Sequence, residues 1–103
     1  MIKNTQSINL IEGDKRISLY CPIGEDYYTA DIHFKFVPDQ YYMDYIDLDK
    51  FICGLSGKNL TIEDAAETVH EELQKYSPLK SCVTIEADSN THLHVTVAKG
   101  DNI

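Results

Sequence analysis

Basic residues are scarce in this chain of 103 residues. Nine lysines and arginines stand against 17 aspartates and glutamates, and the formal net charge at pH 7 is −8. A broad nucleic-acid surface requires clustered Lys and Arg side chains that neutralise phosphates. The composition therefore argues against such a surface. A small RNA contact through Lys15, Arg16 and Lys35 stays compatible with it.

Cysteines are also few, and long hydrophobic runs are absent from the sequence. The three cysteines form an odd number without metal-like spacing, which is typical of a reducing cytosol rather than of a disulfide framework. No hydrophobic run approaches the roughly 20 residues of a transmembrane helix. The first ten residues lack the apolar core of a signal peptide. We therefore expect a soluble cytoplasmic protein that does not associate with a membrane.

The length suits one domain. We expect a single domain over residues 1–103, with residues 1–5 loosely held. A chain of this size buries only about 60 to 70 per cent of its unfolded surface, so oligomerisation would help to stabilise it.

Alternation of apolar and polar residues predicts short strands. The clearest covers residues 29–37, where Ala30, Ile32, Phe34 and Phe36 share one face. The others cover residues 7–11, 16–20, 83–87 and 93–97, the last with Leu93, Val95 and Val97 facing inward. Glu12-Gly13-Asp14 predicts a turn between the first two strands, which together could form one interrupted edge element.

The period changes to that of a helix in the middle of the chain. Residues 46–55 predict a first helix, with Asp44 or Asp47 as its N-cap. A second helix is predicted to begin after Thr61, which stands three residues before Asp64 as in a capping box. The apolar stripe of this second helix continues to Tyr76.

The predicted order is therefore β-β-α-α-β-β, which indicates an α+β fold. Two antiparallel hairpins form a four-stranded sheet, and the two helices cover one of its faces. The other face carries polar residues and suits water or a neighbouring subunit. Because such a sheet has open edges, we expect a cyclic homo-oligomer that closes the sheets into a barrel.

Cys21 lies where a predicted strand ends. Pro22 follows at once and cannot donate to a sheet ladder, and residues 24–26, Gly-Glu-Asp, supply turn chemistry. This is a good position for a reactive thiol and a poor one for a core residue. The alternative interpretation is a small, buried apolar residue at a strand end.

Three features of the chain occur together. Cys21-Pro22 ends a strand, the elements follow the order β-β-α-α-β-β, and the second helix opens with LTIED at residues 60–64. This combination resembles the tunnelling-fold family of purine- and pterin-binding enzymes. The resemblance is greatest to the branch that handles 7-cyano-7-deazaguanine (preQ0), and within it to the short QueF-like amidinotransferase of archaeosine synthesis. That branch also contains the nitrile reductase of queuosine synthesis.

The resemblance implies roles for two residues. The thiolate of Cys21 would attack the nitrile carbon of preQ0 and form a covalent thioimide, and Glu63 would accept hydrogen bonds from the N–H edge of the base. A carboxylate can pair with two neighbouring N–H donors, and a Glu in a first helical turn gains from the helix dipole. The resemblance also implies sites between neighbouring subunits, and as substrate either the small 7-deazapurine or preQ0 already in tRNA.

Two positions depart from the family pattern. Seven residues after the cysteine the family has an aspartate that transfers protons, and here this position is Tyr28. Asp26, two residues earlier, is the other candidate for proton transfer. The histidine that the family usually places just before the glutamate is Ile62 here, at the predicted base-binding position.

The chain also lacks the E-S-K-S type stretch that the nitrile reductase carries before its first helix, associated with its nicotinamide cofactor. Residues 43–47 read MDYID instead. Amidine formation without a cofactor is therefore favoured over reduction, which alone would require NADPH.

The departures leave other functions open. A second hypothesis is a non-catalytic tunnelling-fold subunit that binds a purine or pterin, or only assembles with a partner. A third is an enzyme that holds a pterin through the same Glu63, ranked lower because the chain lacks the zinc-binding histidine set of such enzymes.

Two further clusters have competing interpretations. His92 and His94 alternate on a predicted strand near His33, but without a third ligand at diagnostic spacing, so we expect a polar sheet or interface and no metal. Three tyrosines between the second strand and the first helix either cover a ligand pocket at a subunit boundary or pack in an interface. They are Tyr41, Tyr42 and Tyr45.

Overall fold

The computed structural model describes residues 1–88 and 93–103. Within these residues the elements are, in chain order, β1 (Ile2–Lys3), β2 (Ile11–Cys21), β3 (Asp26–Val37), β4 (Tyr41–Tyr42), α1 (Tyr45–Cys53), α2 (Ile62–Gln74), β5 (Lys80–Asp88) and β6 (Val95–Gly100). The main sheet has the order β2-β3-β5-β6, and every neighbouring pair in it is antiparallel. The predicted α+β fold with a four-stranded antiparallel sheet is confirmed.

The core lies between one face of this sheet and the two helices. The predicted inward stripe of β3 is buried, with Ile32 and Phe36 fully so. α1 packs against β2, whereas α2 packs against β5 and β6. The opposite face of the sheet carries pairs such as Arg16 and Asp31, whose Nε and Oδ1 atoms are 2.6 Å apart.

The predicted turn at residues 12–14 is wrong, because these residues lie within β2. The strand runs without a break from Ile11 to Cys21 and pairs with β3 along its whole length. Gly13 lies directly opposite Phe34, and a Cβ atom at Gly13 would come within 2.7 Å of the ring of Phe34. The glycine therefore makes room for an aromatic ring on the neighbouring strand instead of forming a turn.

The N-terminal segment also differs from the prediction. Residues 7–10 do not form a strand, and Ser7 has a φ of 58°. Ile2 and Lys3 form β1, which pairs antiparallel with β4. The side chain of Asn4 accepts a hydrogen bond from the backbone N–H of Ile8 at 2.9 Å and donates one to the carbonyl of Asp39 at 3.1 Å.

Both predicted helices are confirmed, including their caps. Asp44 caps α1 by accepting a hydrogen bond from the N–H of Ile46 at 2.8 Å. Thr61 caps α2 by accepting one from the N–H of Asp64 at 3.1 Å. The buried side chains of α2 follow the predicted stripe: Ala65, Ala66, Val69 and Leu73.

The end of the sheet at β6 is more open than predicted. Val97 packs partly against the core, but the side chains of Leu93 and Val95 are 82% and 38% exposed. Leu93 precedes β6 and Val95 is its first residue, so both lie at the beginning of the edge strand and outside the core. The predicted strand position of His92 falls outside the described residues.

The chain between the two helices forms an additional edge beside the end of β2. The N–H of Tyr20 donates to the carbonyl of Lys58, and the N–H of Leu60 donates to the carbonyl of Tyr20, both at 3.0 Å. These bonds bring the start of α2 next to Cys21. None of the helices in the described part of the chain has the length and apolar character to cross a bilayer.

Gly13→Ala should destabilise the fold by about 1 to 3 kcal/mol, because the added methyl group overlaps the ring of Phe34. Chemical denaturation measures this free energy of unfolding. Gly24→Ala is the matched control, since its Cβ would be 3.8 Å from the nearest atom, an ordinary contact. Equal denaturation midpoints for the two variants would contradict the packing described for Gly13.

Candidate active site

Cys21 is the last residue of β2 and begins the turn to β3. Its side chain is partly exposed, and its Sγ atom accepts a hydrogen bond from the backbone N–H of Gly24 at 3.4 Å. The backbone N–H of Gly24 thus points at the sulfur of Cys21. The turn therefore presents a partly exposed thiol with a backbone donor beside it.

Asp26 is the cross-strand partner of Cys21. Side chains of directly opposite residues in an antiparallel pair lie on the same face, with Cβ atoms about 4.5 to 5.5 Å apart. The carboxylate of Asp26 is exposed and accepts a hydrogen bond from the N–H of Tyr27 at 2.8 Å. A carboxyl group thus lies beside the thiol, although the spacing of the family aspartate matches Tyr28 instead.

Tyr28 is buried behind this pair, with 9% of its surface exposed. Its hydroxyl donates a hydrogen bond of 2.6 Å to the carbonyl of Leu60. The pKa of Tyr28 is raised well above that of a free tyrosine, chiefly by burial and then by the nearby negative charges of Cys21, Glu63 and Asp64. The phenol is therefore a neutral donor at physiological pH.

The first turn of α2 completes this region. Ile62 is partly buried and packs against the core, and Glu63 is exposed. The charge of Glu63 is one of those that raise the pKa of Tyr28. Glu63 is one of the two acidic residues in the first turn of α2.

A cleft of about 160 Å³ joins these elements. Its lining residues are Cys21, Gly24, Asp26, Tyr27, Tyr28, Ile62, Ala87, Leu93 and Val95. Most of its walls are apolar, with the thiol and the carboxyl group of Asp26 at the hairpin end. Such a cleft suits a small ligand that offers apolar surface to most of the wall.

The cleft brings together four of the five predicted site residues, namely Cys21, Asp26, Tyr28 and Ile62. Glu63 is not among the described lining residues. Sequence reasoning did not identify Ala87, Leu93 and Val95 as site residues. Their alternation near strand ends was the available signal, but it was interpreted as packing.

The predicted tyrosine cluster does not reach this cleft within one chain. Tyr45 instead lines a larger cleft, of about 510 Å³, beside Ile11 and Gly13 at the far end of β2. An ion pair of 2.7 Å between Lys15 and Asp49 joins β2 to α1 there. This second cleft holds none of the five predicted site residues. In residues 1–88 and 93–103, no group of three His, Cys, Asp or Glu side chains could hold a metal ion.

Comparison with known proteins gives a structural match without a sequence match. No protein-family model matches the chain, and no curated protein matches its sequence. The crystal structure of an archaeosine synthase QueF-like protein, in its apo form, superposes with a TM-score of 0.83 over 91% of this chain and 94% of that one. The chain has the fold of a QueF-like archaeosine synthase.

The predicted resemblance is thereby confirmed at the level of the fold. The two chains are 18% identical, so the likeness to the QueF-like structure establishes the tunnelling fold alone. Any activity depends on the residues of this chain. Those residues are the thiol, carboxyl and phenol groups at the hairpin cleft and Glu63 beside them.

Stability at alkaline pH should depend on Tyr28. Its pKa is higher in the folded state than in the unfolded state, so its stabilising contribution is complete below about pH 10 and is lost as the pH rises further. Tyr28→Phe should therefore lose less stability than the wild type between about pH 8 and pH 11. Denaturant unfolding at both pH values measures the difference. Tyr45→Phe, at an exposed position, is the control, and an identical alkaline loss in wild type and Tyr28→Phe would contradict the raised pKa.

Proposed function

We propose that the protein binds the 7-deazapurine nitrile preQ0 and that Cys21 adds to its nitrile group to form a thioimide. The observation that carries this proposal is the juxtaposition of Cys21, Asp26 and the start of α2 at one cleft of a tunnelling fold. The similar solved protein is described as an archaeosine synthase, which supports a 7-deazapurine as the ligand class.

In this proposal the base lies against the apolar walls, with its nitrile directed towards Cys21. Ile62 and Ala87 contribute apolar wall area, and Glu63 accepts hydrogen bonds from the N–H edge of the base. A carboxylate that pairs with two N–H donors gives both affinity and orientation. Since Glu63 is exposed in one chain, we propose that a neighbouring copy covers this end of the site.

The chemical step is an addition. The Sγ atom of Cys21 forms a bond with the nitrile carbon, one π bond of the C≡N group breaks, and the nitrile nitrogen takes up a proton. Asp26, the cross-strand partner of the thiol, is the proposed proton-transfer group. An ammonia or amine donor then attacks the thioimide carbon and expels the thiol, which leaves an amidine.

Amidine formation is favoured over reduction in this proposal. Reduction of the thioimide would require a hydride donor such as NADPH, and residues 43–47 do not carry the E-S-K-S type stretch linked to that cofactor. The substrate is either the free base or preQ0 within tRNA, the latter held through a small basic region of Lys15, Arg16 and Lys35. The three free cysteines favour a reducing compartment, and we propose the cytoplasm.

We propose further that the protein acts as a cyclic homo-oligomer. Leu93 and Val95 are exposed at the beginning of the edge strand β6, and Ile23 and Tyr27 are exposed at the hairpin between β2 and β3. Exposed apolar side chains around a site mark an interaction surface, and an open sheet edge favours pairing with another strand. A neighbouring copy at this edge would cover the apolar side chains and enclose the ligand, and its tyrosine cluster could contribute to the wall.

The alternative is a non-catalytic tunnelling-fold subunit that binds a purine or pterin, or that only assembles with a partner. One observation favours it: Tyr28, at the position of the family's proton-transferring aspartate, uses its hydroxyl to hold the backbone of Leu60. A site without a proton donor could bind a base and not transform it.

Incubation with preQ0 should raise the mass of the intact protein by that of one preQ0 molecule. Cys21→Ala should abolish the adduct, whereas Cys53→Ala and Cys82→Ala should retain it. Iodoacetamide should label Cys21 faster than the other two cysteines, and preQ0 should protect Cys21 alone. Equal, slow labelling of all three would favour the non-catalytic subunit.

A second pair of variants distinguishes a loss of preQ0 affinity from a loss of adduct formation. Glu63→Gln should weaken preQ0 binding about tenfold or more, because a charged acceptor becomes a neutral amide. Glu67→Gln, one turn further along α2 and also exposed, is the matched control and should bind normally. Tight binding without an adduct would indicate a binder that has lost its chemistry, and neither binding nor an adduct would refute the preQ0 proposal.

Leu93→Asp should convert the oligomer into smaller species, because it places a charge among the apolar side chains at the proposed interface. The side chain is 82% exposed, so the fold of one chain should tolerate the change. Sedimentation velocity measures the assembly, and preQ0 affinity should fall with it. Leu79→Asp, also exposed but outside the cleft, is the control. A wild-type protein that sediments as a monomer would contradict the proposed ring.

A further inference from the structure

We propose that Tyr28 is a positioning residue, which holds the first turn of α2 and therefore Glu63 at a set distance from Cys21. This inference rests on the proposed function for its link to preQ0. It assigns Tyr28 a different role from the proton transfer that the family position implies.

The contact that carries the inference is the 2.6 Å hydrogen bond from the hydroxyl of Tyr28 to the carbonyl of Leu60. It joins residues 32 positions apart, one on β3 and one at the entry to α2. The N–H of Leu60 also donates to the carbonyl of Tyr20 on β2, at 3.0 Å. Both backbone groups of Leu60 are thus held, one by each strand of the hairpin that carries Cys21.

Leu60 directly precedes Thr61, the N-cap of α2. The carbonyl of Thr61 accepts from Ala65 at 2.9 Å, and its side chain accepts from Asp64 at 3.1 Å. The position of Leu60 therefore sets where the first helical turn begins. Glu63 lies within that turn, so a shift of Leu60 would move its carboxylate relative to the thiol.

The same geometry argues against proton transfer by Tyr28. Its hydroxyl proton already lies in a short hydrogen bond to a carbonyl. Burial and the neighbouring charges of Cys21 and Glu63 raise the pKa of the phenol, so the phenol stays protonated at physiological pH. Asp26, exposed and opposite Cys21, is the better placed group for that step.

A double-mutant cycle tests the role. Non-covalent affinity for preQ0 is measured by calorimetry in a Cys21→Ala background for four forms: the parent, Tyr28→Phe, Glu63→Gln and both changes together. Tyr28→Phe should weaken binding about tenfold, since it removes one hydrogen bond that orients the site. In the presence of Glu63→Gln it should cost less than about twofold more, because Tyr28 acts through Glu63.

The rate of adduct formation distinguishes a positioning role from a general structural role. A loss of structure would lower the rate at saturating preQ0, whereas a loss of positioning would change only the half-saturating concentration. In protein that retains Cys21, Tyr28→Phe should leave the rate at saturating preQ0 within about twofold of wild type and shift only the half-saturating concentration. Tyr76→Phe, two residues beyond the C-terminal end of α2, should change neither quantity. Fully additive binding effects, or a large fall in the saturating rate with unchanged affinity, would overturn the inference.

A ligand-free measurement keeps the inference distinct from the preQ0 proposal. In Tyr28→Phe, hydrogen exchange at the amides of Leu60 and Asp64 should accelerate about tenfold, while amides of β5 stay protected. Unchanged exchange at both amides would overturn the positioning role whatever the protein binds. Failure of the wild type to bind preQ0, with accelerated exchange in the variant, would refute the proposed function and leave the positioning role supported.

Discussion

The backbone pairing between Tyr20 and residues 58–60 is the constraint on which the candidate site depends. Two hydrogen bonds of 3.0 Å attach the connection between the helices to the end of β2. They fix where α2 begins relative to the hairpin, whereas the buried stripe of α2 holds the helix against β5 and β6. The phenol of Tyr28 adds a third hydrogen bond to the same segment, from β3. Cys21 and Glu63 therefore come into one region through main-chain geometry.

The distribution of apolar surface indicates that one chain alone leaves the candidate site partly uncovered. The core is well covered where α1 and α2 cross the sheet, and Leu19, Ile32 and Val83 are fully buried. At the cleft, Leu93 and Val95 have no such cover. The acidic chain offers little to attract phosphate, so the apolar cleft and its single thiol are the stronger functional signal. A second copy that covers the cleft would lower the exposed apolar area and enclose the base.

Much of the fold could be predicted from local sequence patterns. The predictions that were wrong have identifiable physical causes. The stripe of α2 and its cap Thr61 were predicted correctly, and Asp44 was one of the two predicted caps of α1, because these features depend on residues a few positions apart. Gly13 was interpreted as a turn residue, yet it accommodates the ring of Phe34 from another strand. A single glycine has the same local signature in both settings. Only the partner strand distinguishes them.

The sequence by itself determined the α+β order of elements, the helix caps and the placement of a cysteine at a hairpin end. The tertiary structure alone decided that Asp26 faces Cys21, that the hydroxyl of Tyr28 reaches Leu60, and that Leu93 and Val95 line the cleft. The physical reason is the range of the interactions. Periodicity and caps act within one or two turns of chain, whereas the register of β2 on β3 and the contact between Tyr28 and Leu60 link residues brought together only by packing of the whole sheet against its helices.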